Sequence, residues 1–173
     1  MPVGDHLDDL RRSSRDYKIR PHHFLPEAEI TLWHDANMQF VGTALLEVLL
    51  QGLQTHPMVF TRHPDRNCAY QEAEWCLAHR KDRADRIDRT VQRLREEGLP
   101  KEAGLLNGGL IARRNQDPRV QAFNELWWEY YQEGSERDQI SLVLALRRTG
   151  LEPLILDASY LEPPYIYLHP HRP

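Results

Sequence analysis

The chain is short of cysteine: Cys68 and Cys76 are the two among 173 residues. They lie on a stretch that reads as helix, about two turns or roughly 12 Å apart by helix rise. A disulfide needs closer approach, and two cysteines so spaced do not make a zinc motif. Both are expected to be reduced, with Cys76 used in packing. Long apolar runs are also missing. The stretch "ALLEVLLQGL" is broken by Glu47 and Gln51 and falls short of the roughly 20 residues of a membrane span. The opening "MPVGDHLDDLRRSSRD" has no apolar centre and so does not read as a secretory signal, which leaves a cytoplasmic protein as the expectation. An excess of basic charge is absent as well. The formal net charge is −4, which argues against a dedicated nucleic-acid or anionic-membrane binder. Repeats, low-complexity tracts and linkers are not evident, and the length suits one domain.

What is present is an alternation of strand and helix. Residues 1–14 are charged and aperiodic, a flexible N-terminal segment or short irregular helix, ahead of one domain over 15–173. "AEITLW" (28–33) has strand character. "TALLEVLLQGL" (43–53) repeats Leu45, Leu46, Leu49, Leu50 and Leu53 at helical spacing. A short strand within 56–64 precedes a long helical region, 69–97, with a seam through Ile87, Val91 and Leu94. Gly98 and Pro100 end it. A strand follows in "GLLNGGLIARRN" (104–115). A helix then starts at Asp117 and Pro118, and another over 135–150 is closed by Gly150. "PLILD" and "YIYLH" are short strands. This order predicts an α/β layer.

Three polar clusters fall where strands end or helices begin: "HDAN" (34–37), "NGG" (107–109) and "RDQ" (137–139). In open α/β sheets ligands bind at the carboxyl ends of strands. Glycines such as Gly108 and Gly109 let a backbone approach a ligand closely. A strand-end carboxylate, Asp35, with Asn37 two residues on, suits a hard divalent cation shared with nucleotide phosphates, which stabilises a diphosphate leaving group.

These clusters, together with "RDYKIRPHHFLPEAEITLWHDANMQF", "HPDRNCAYQEAEWC", "REEGLPKEAGLLNGGLIARRN", "FNELWWEY" and "SERDQISL", resemble a glycosyltransferase-like family first catalogued as a domain of unknown function. It occurs in plant cell-wall and mucilage proteins and in many bacterial ones. The motif order is also similar to the glycogenin-type retaining transferases. The resemblance implies a GT-A-like α/β fold and a hexosyltransferase that uses a nucleotide-diphosphate sugar, a glycan or other acceptor, and Mn²⁺ or Mg²⁺. By that resemblance Asp35 and Asn37 take the metal loop, where Asn37 replaces a second acid, and His169 or His171 the late metal-binding histidine. Asn107, with Gly108 and Gly109, would line the sugar site, and Asp138 with Gln139 would contact sugar or acceptor. The GT-A fold places a β-α-β unit before the metal loop, whereas 34 residues precede Asp35 here. A domain lacking that unit, one completed by a partner chain or oligomer, and a non-catalytic glycan- or protein-binding remnant all stay open.

Each residue also has a plainer structural reading. Asp35 and Asn37 would serve in an ordinary turn, and Asn107–Gly109 in a turn into a strand. Ser135 and Asp138 fit a capping box. His63, with Arg62 and Arg66 nearby, would suit a diphosphate or simply shape a loop. Arg113 and Arg114 alternate across a strand, so one of them at most faces a cleft, and Arg137 is the better cation candidate. Trp127 and Trp128 suit either a sugar ring or the core. Glu72 has no assigned role, and His22, His23, His56 and His79 have no evident partners.

Overall fold

The computed structural model describes residues 10–170. Helices α1 (Leu10–Ile19) and α2 (Pro21–Phe24) lead into strand β1 (Ile30–His34) and the short β2 (Met38–Phe40). Helix α3 (Ala44–Thr55), strand β3 (Met58–Arg62), helices α4 (Ala69–Ala78) and α5 (Ala84–Glu96), and strand β4 (Leu106–Arg114) follow. The chain closes with helices α6 (Pro118–Glu133) and α7 (Asp138–Thr149), then β5 (Leu154–Leu156) and β6 (Ile166–Leu168). Of the N-terminal segment 1–14, residues 1–9 lie outside the described residues and 10–14 are helical in α1.

The main sheet has the order β1-β4-β3-β5. Strand β4 is antiparallel to both neighbours and β5 is parallel to β3. The fold is thus mixed α/β with a mixed four-strand sheet, while β2 and β6 pair as a separate ribbon. The carboxyl ends of β1 and β3 and the amino end of β4 therefore share one edge. Alternation across the pleat sorts the core. Ile111, Met58 and Phe60 face the layer of α4 to α7, while Leu110, Ala112 and Val59 face α3. Helix α3 turns Leu45, Leu49 and Leu53 inward and leaves Leu46 and Leu50 exposed. A Cβ at Gly52 would sit 2.7 Å from Leu154 and 2.9 Å from Val59, so glycine lets α3 lie close on the sheet.

The long helix expected over 69–97 is two helices. Arg80 adopts a left-handed φ of 50°. Lys81 N–H then donates to Cys76 O and Arg80 N–H to Leu77 O, the pairing that closes a helix C-terminus. Gly98 does the same for α5, with Leu99 N–H on Leu94 O. A left-handed arginine carries none of glycine's sequence signal, which is why the break at 79–83 is not visible beforehand. At α6, Asp117 caps as expected, accepting from Arg119 N–H at 2.9 Å. Asp117→Ala is expected to cost about 1 kcal/mol in chemical denaturation, with the fold retained.

The capping box at Ser135 does not form. Helix α7 begins at Asp138. Ser135 Oγ instead accepts from Arg137 N–H and donates to Asp82, and Asp82 also accepts from Glu136 N–H at 2.7 Å. The loop before α7 is thus tied to the α4–α5 connection, freeing the Asp138 carboxylate for another partner. Arg113 and Arg114 both turn away from the cleft edge. Arg113, fully buried, donates to Lys18 O and Ile19 O at the end of α1. Arg114 donates to Leu53 O and Gln54 O at the end of α3. Each holds the last carbonyls of a helix.

Candidate active site

The site is built on an irregularity in β4. Phe60 pairs with Ile111, yet the next residue, Thr61, pairs with Asn107. Residues 108–110 therefore bow out of the β3 ladder, and Gly109 O accepts from Asp35 N–H at 2.8 Å. Asn107 Oδ1 accepts from Gly109 N–H at 2.6 Å, which fixes the bow from inside. The absence of a Cβ is what allows the crowding. A Cβ at Gly109 would lie 2.5 Å from Met38 Cε, 2.9 Å from Asn107 Oδ1 and 3.1 Å from Asp35 Oδ2. At Gly108 it would lie 3.0 Å from Lys18 Nζ and 3.2 Å from Gln139 Cγ. Asp35 and Asn107 thus crowd Gly109, while Gln139 and Lys18 crowd Gly108, the preceding residue of the same bulge.

Asp35 is half-buried, and its Oδ1 accepts from Trp33 Nε1 at 3.0 Å. Gln139 donates to Leu106 O at 3.0 Å, which fastens the first turn of α7 to β4. Asp138 lies below this surface, 4% exposed, paired with Lys18, itself 2% exposed. Arg15 Nε is 3.5 Å from the same carboxylate. Burial alone would push the Asp138 carboxyl up, but the charges of Lys18, Arg15 and Arg137 outweigh it and hold the group below the usual carboxylate range. Trp127 is core, and its Nε1 donates to Asp138 O; Trp128 is buried too, so neither offers a face to a sugar.

Lys18 and Arg15 are the residues that sequence reasoning missed. Their spacing of three puts them on one face of α1, which was the available signal. Nothing local shows that Asp138 lies opposite.

The remaining candidates occupy two flanks. His63 Nδ1 accepts from Asp65 N–H and Arg66 N–H, so the imidazole pins its own turn. Burial holds it below the ordinary histidine range. Glu72, 1% exposed, pairs with Arg66 at 2.6 Å and accepts from Cys76 Sγ at 3.5 Å. Arg137 lies close enough for its charge to act on His63, Cys76 and Asp138. Burial, first, and Glu72 push the Cys76 thiol up to about 11. Thiol reagents at pH 8 are therefore expected to leave Cys76 unmodified until the protein is unfolded, and rapid labelling of Cys76 itself in the native chain would contradict this.

On the other flank Asn37 Nδ2 donates to His169 O, and His169 N–H donates to Asn37 O at 2.8 Å. The His169 imidazole engages Gln39 Oε1 at 2.7 Å, and His171 lies outside the described residues. The oxygen donors near a metal at this loop are therefore one carboxylate, Asp35, and the Asn37 amide. Among the described residues Asp35 is not in a group of three His, Cys, Asp or Glu side chains with mutually close ligand atoms; such a group occurs elsewhere, at His22, His23 and Glu125. The loop fits a hard cation only together with oxygens brought by a ligand.

Residues 5–155 match the family described as TOD1/MUCI70, glycosyltransferase-like domain. The chain belongs to that family. As a TOD1/MUCI70 glycosyltransferase-like domain, the chain carries all three polar clusters inside the matched span. No curated protein and no solved structure matches it. No helix among the described residues is long and apolar enough to cross a membrane.

Proposed function

We propose that this glycosyltransferase-like domain moves a hexose from a nucleotide-diphosphate sugar to a glycan or other acceptor. One observation carries the reading: Asp35, Asn107 and Gln139 converge on the Gly108–Gly109 bulge at the carboxyl edge of the sheet, where α/β folds bind ligands. Asn107 and the bulge backbone would orient the donor sugar, and Gln139 would hydrogen-bond its hydroxyls. Asp138, sealed against Lys18, would set the position of Gln139 and the charge beneath it. Arg137 and Arg15, both half-buried, would offset the growing charge of the diphosphate. His63 would serve as a rigid wall of the same edge. Asp35 and Asn37 would hold Mn²⁺ or Mg²⁺ jointly with donor oxygens, His169 standing beside the loop. A bound cation would supply leaving-group stabilisation; the rest is positioning by the chain.

A second reading, a glycan-binding domain without turnover, draws support from the enclosure of Asp138 and from Asn37 at the second acid position. The experiment that separates them incubates the purified chain with UDP- and GDP-hexoses, with Mn²⁺ or with EDTA, and follows donor hydrolysis and thermal stability. The proposal expects hydrolysis of at least one donor and a raised Tm, both lost in Asp35→Ala. A raised Tm without hydrolysis supports a domain that binds without turnover, and neither effect with any donor contradicts the transferase reading.

A further inference from the structure

Away from the bulge, helix α2 brings two adjacent imidazoles against one carboxylate of α6. His22 Nε2 is 2.9 Å from Glu125 Oε1 and His23 Nε2 is 2.7 Å from the same oxygen. The three ligand atoms all lie within 4.8 Å of one another. The rings meet edge to face, at 87° with centroids 4.5 Å apart, and both Nε2 atoms reach the same carboxylate oxygen. Residues over a hundred positions apart supply this grouping, and the bulge makes no use of it.

We infer that His22, His23 and Glu125 form a binding site for a first-row transition ion, Zn²⁺ in particular, that staples α2 to α6. The donor set decides the class of ion. Two imidazole nitrogens and one carboxylate oxygen suit zinc, whereas magnesium and calcium favour oxygen shells. Zinc sits roughly 2.1 Å from such donors, so the triad needs only a small outward shift of Glu125, whose side chain is 45% exposed. The fourth position faces solvent, because His23 is 46% exposed. Arg20 is the competing cation: it reaches Glu125 Oε2 at 3.5 Å but is held more closely by Asp16 at 2.8 Å.

The neighbouring shell makes a sharper statement. Asn124, fully buried, accepts from Arg113 through Oδ1 at 3.0 Å and turns Nδ2 toward His22 Nδ1 at 3.3 Å. A metal on His22 Nε2 requires the imidazole proton on Nδ1, where it needs an acceptor. Binding therefore calls for the Asn124 oxygen to turn to His22 at the cost of its bond from Arg113, which keeps the carbonyls of Lys18 and Ile19. Asn124→Asp supplies an acceptor to both sides without rotation.

The test uses tag-free full chain stripped with EDTA and titrated with Zn²⁺ by calorimetry, alongside thermal melts and a Mg²⁺ control. The expected result is one equivalent of Zn²⁺ with a raised Tm and no response to Mg²⁺. His23→Ala and Glu125→Gln, both exposed changes, should each weaken binding by at least about tenfold, and Asn124→Asp should tighten it by about tenfold. No stoichiometric zinc, zinc bound equally well by His23→Ala and Glu125→Gln, or weaker binding in Asn124→Asp would overturn the site.

Discussion

Asp138→Ala is expected to remove about 3–5 kcal/mol of folding stability, the typical cost of breaking a buried ion pair from one side. The substitution leaves the Lys18 ammonium, 2% exposed, without its carboxylate and with Arg15 close by. For a domain whose total stability is of order 5–15 kcal/mol, that is a large fraction. Replacing both partners, Lys18→Met with Asp138→Leu, should recover most of the loss, because paired charges repay their own desolvation poorly. Urea denaturation of Lys18→Met, Asp138→Leu and the double variant measures the coupling directly. A loss under about 1 kcal/mol in Asp138→Ala would mean that the pair is solvated and the floor of the site is open. The same pair sets an acid limit. Asp138 is held below the ordinary carboxylate range in the folded chain, so its contribution is present at neutral pH. It fades as pH falls below the unfolded value, about 3.9, through the folded one. Asp138→Ala should lack that component of acid destabilisation.

Gly109→Ala is expected to reduce turnover by about 100-fold, the scale of a displacement near 1 Å in a reacting arrangement. Its cost in stability should be smaller, about 1–3 kcal/mol. The backbone at 109 has an ordinary conformation, so the effect is one of space alone. Met38 Cε, 2.5 Å from the new Cβ, is the far end of a flexible side chain and can swing away. Asp35 Oδ2 and Asn107 Oδ1 have less freedom, being fixed by neighbouring hydrogen bonds through Trp33 and Gly109 N–H. The split between a modest shift in denaturation midpoint and a large loss of donor turnover identifies the bulge as a positioning device. Equal wild-type turnover in Gly109→Ala would place the chemistry elsewhere.

Signals carried by neighbouring residues were legible in the sequence. Asp117 with Pro118, and Gly150 with its φ of 63°, act within one turn of their own helices. The leucine spacing of α3 was legible too, although Leu46 and Leu50 stay exposed because one stripe suffices to cover the sheet. Contacts that close over long stretches of chain were not. Lys18 meets Asp138 across the whole fold, and Arg113 and Arg114 serve helix ends that no strand pattern reveals. Arg80 ends α4 in a conformation its side chain does not advertise. His22 and His23 find their partner on α6, more than a hundred residues along the chain. The three polar clusters were picked out by residue type and by the family resemblance; the bulge at Gly108–Gly109, and the lysine that buries Asp138 beneath it, rest on contacts that no local pattern reveals.

The most direct measurement is hydrogen–deuterium exchange of the full chain with and without saturating UDP- or GDP-hexose. Binding at the proposed site should slow exchange together in peptides covering 32–40, 104–111 and 135–141, with little change in α5 or around His22. Protection confined to one of those segments, protection centred elsewhere, or none with any donor would contradict the account.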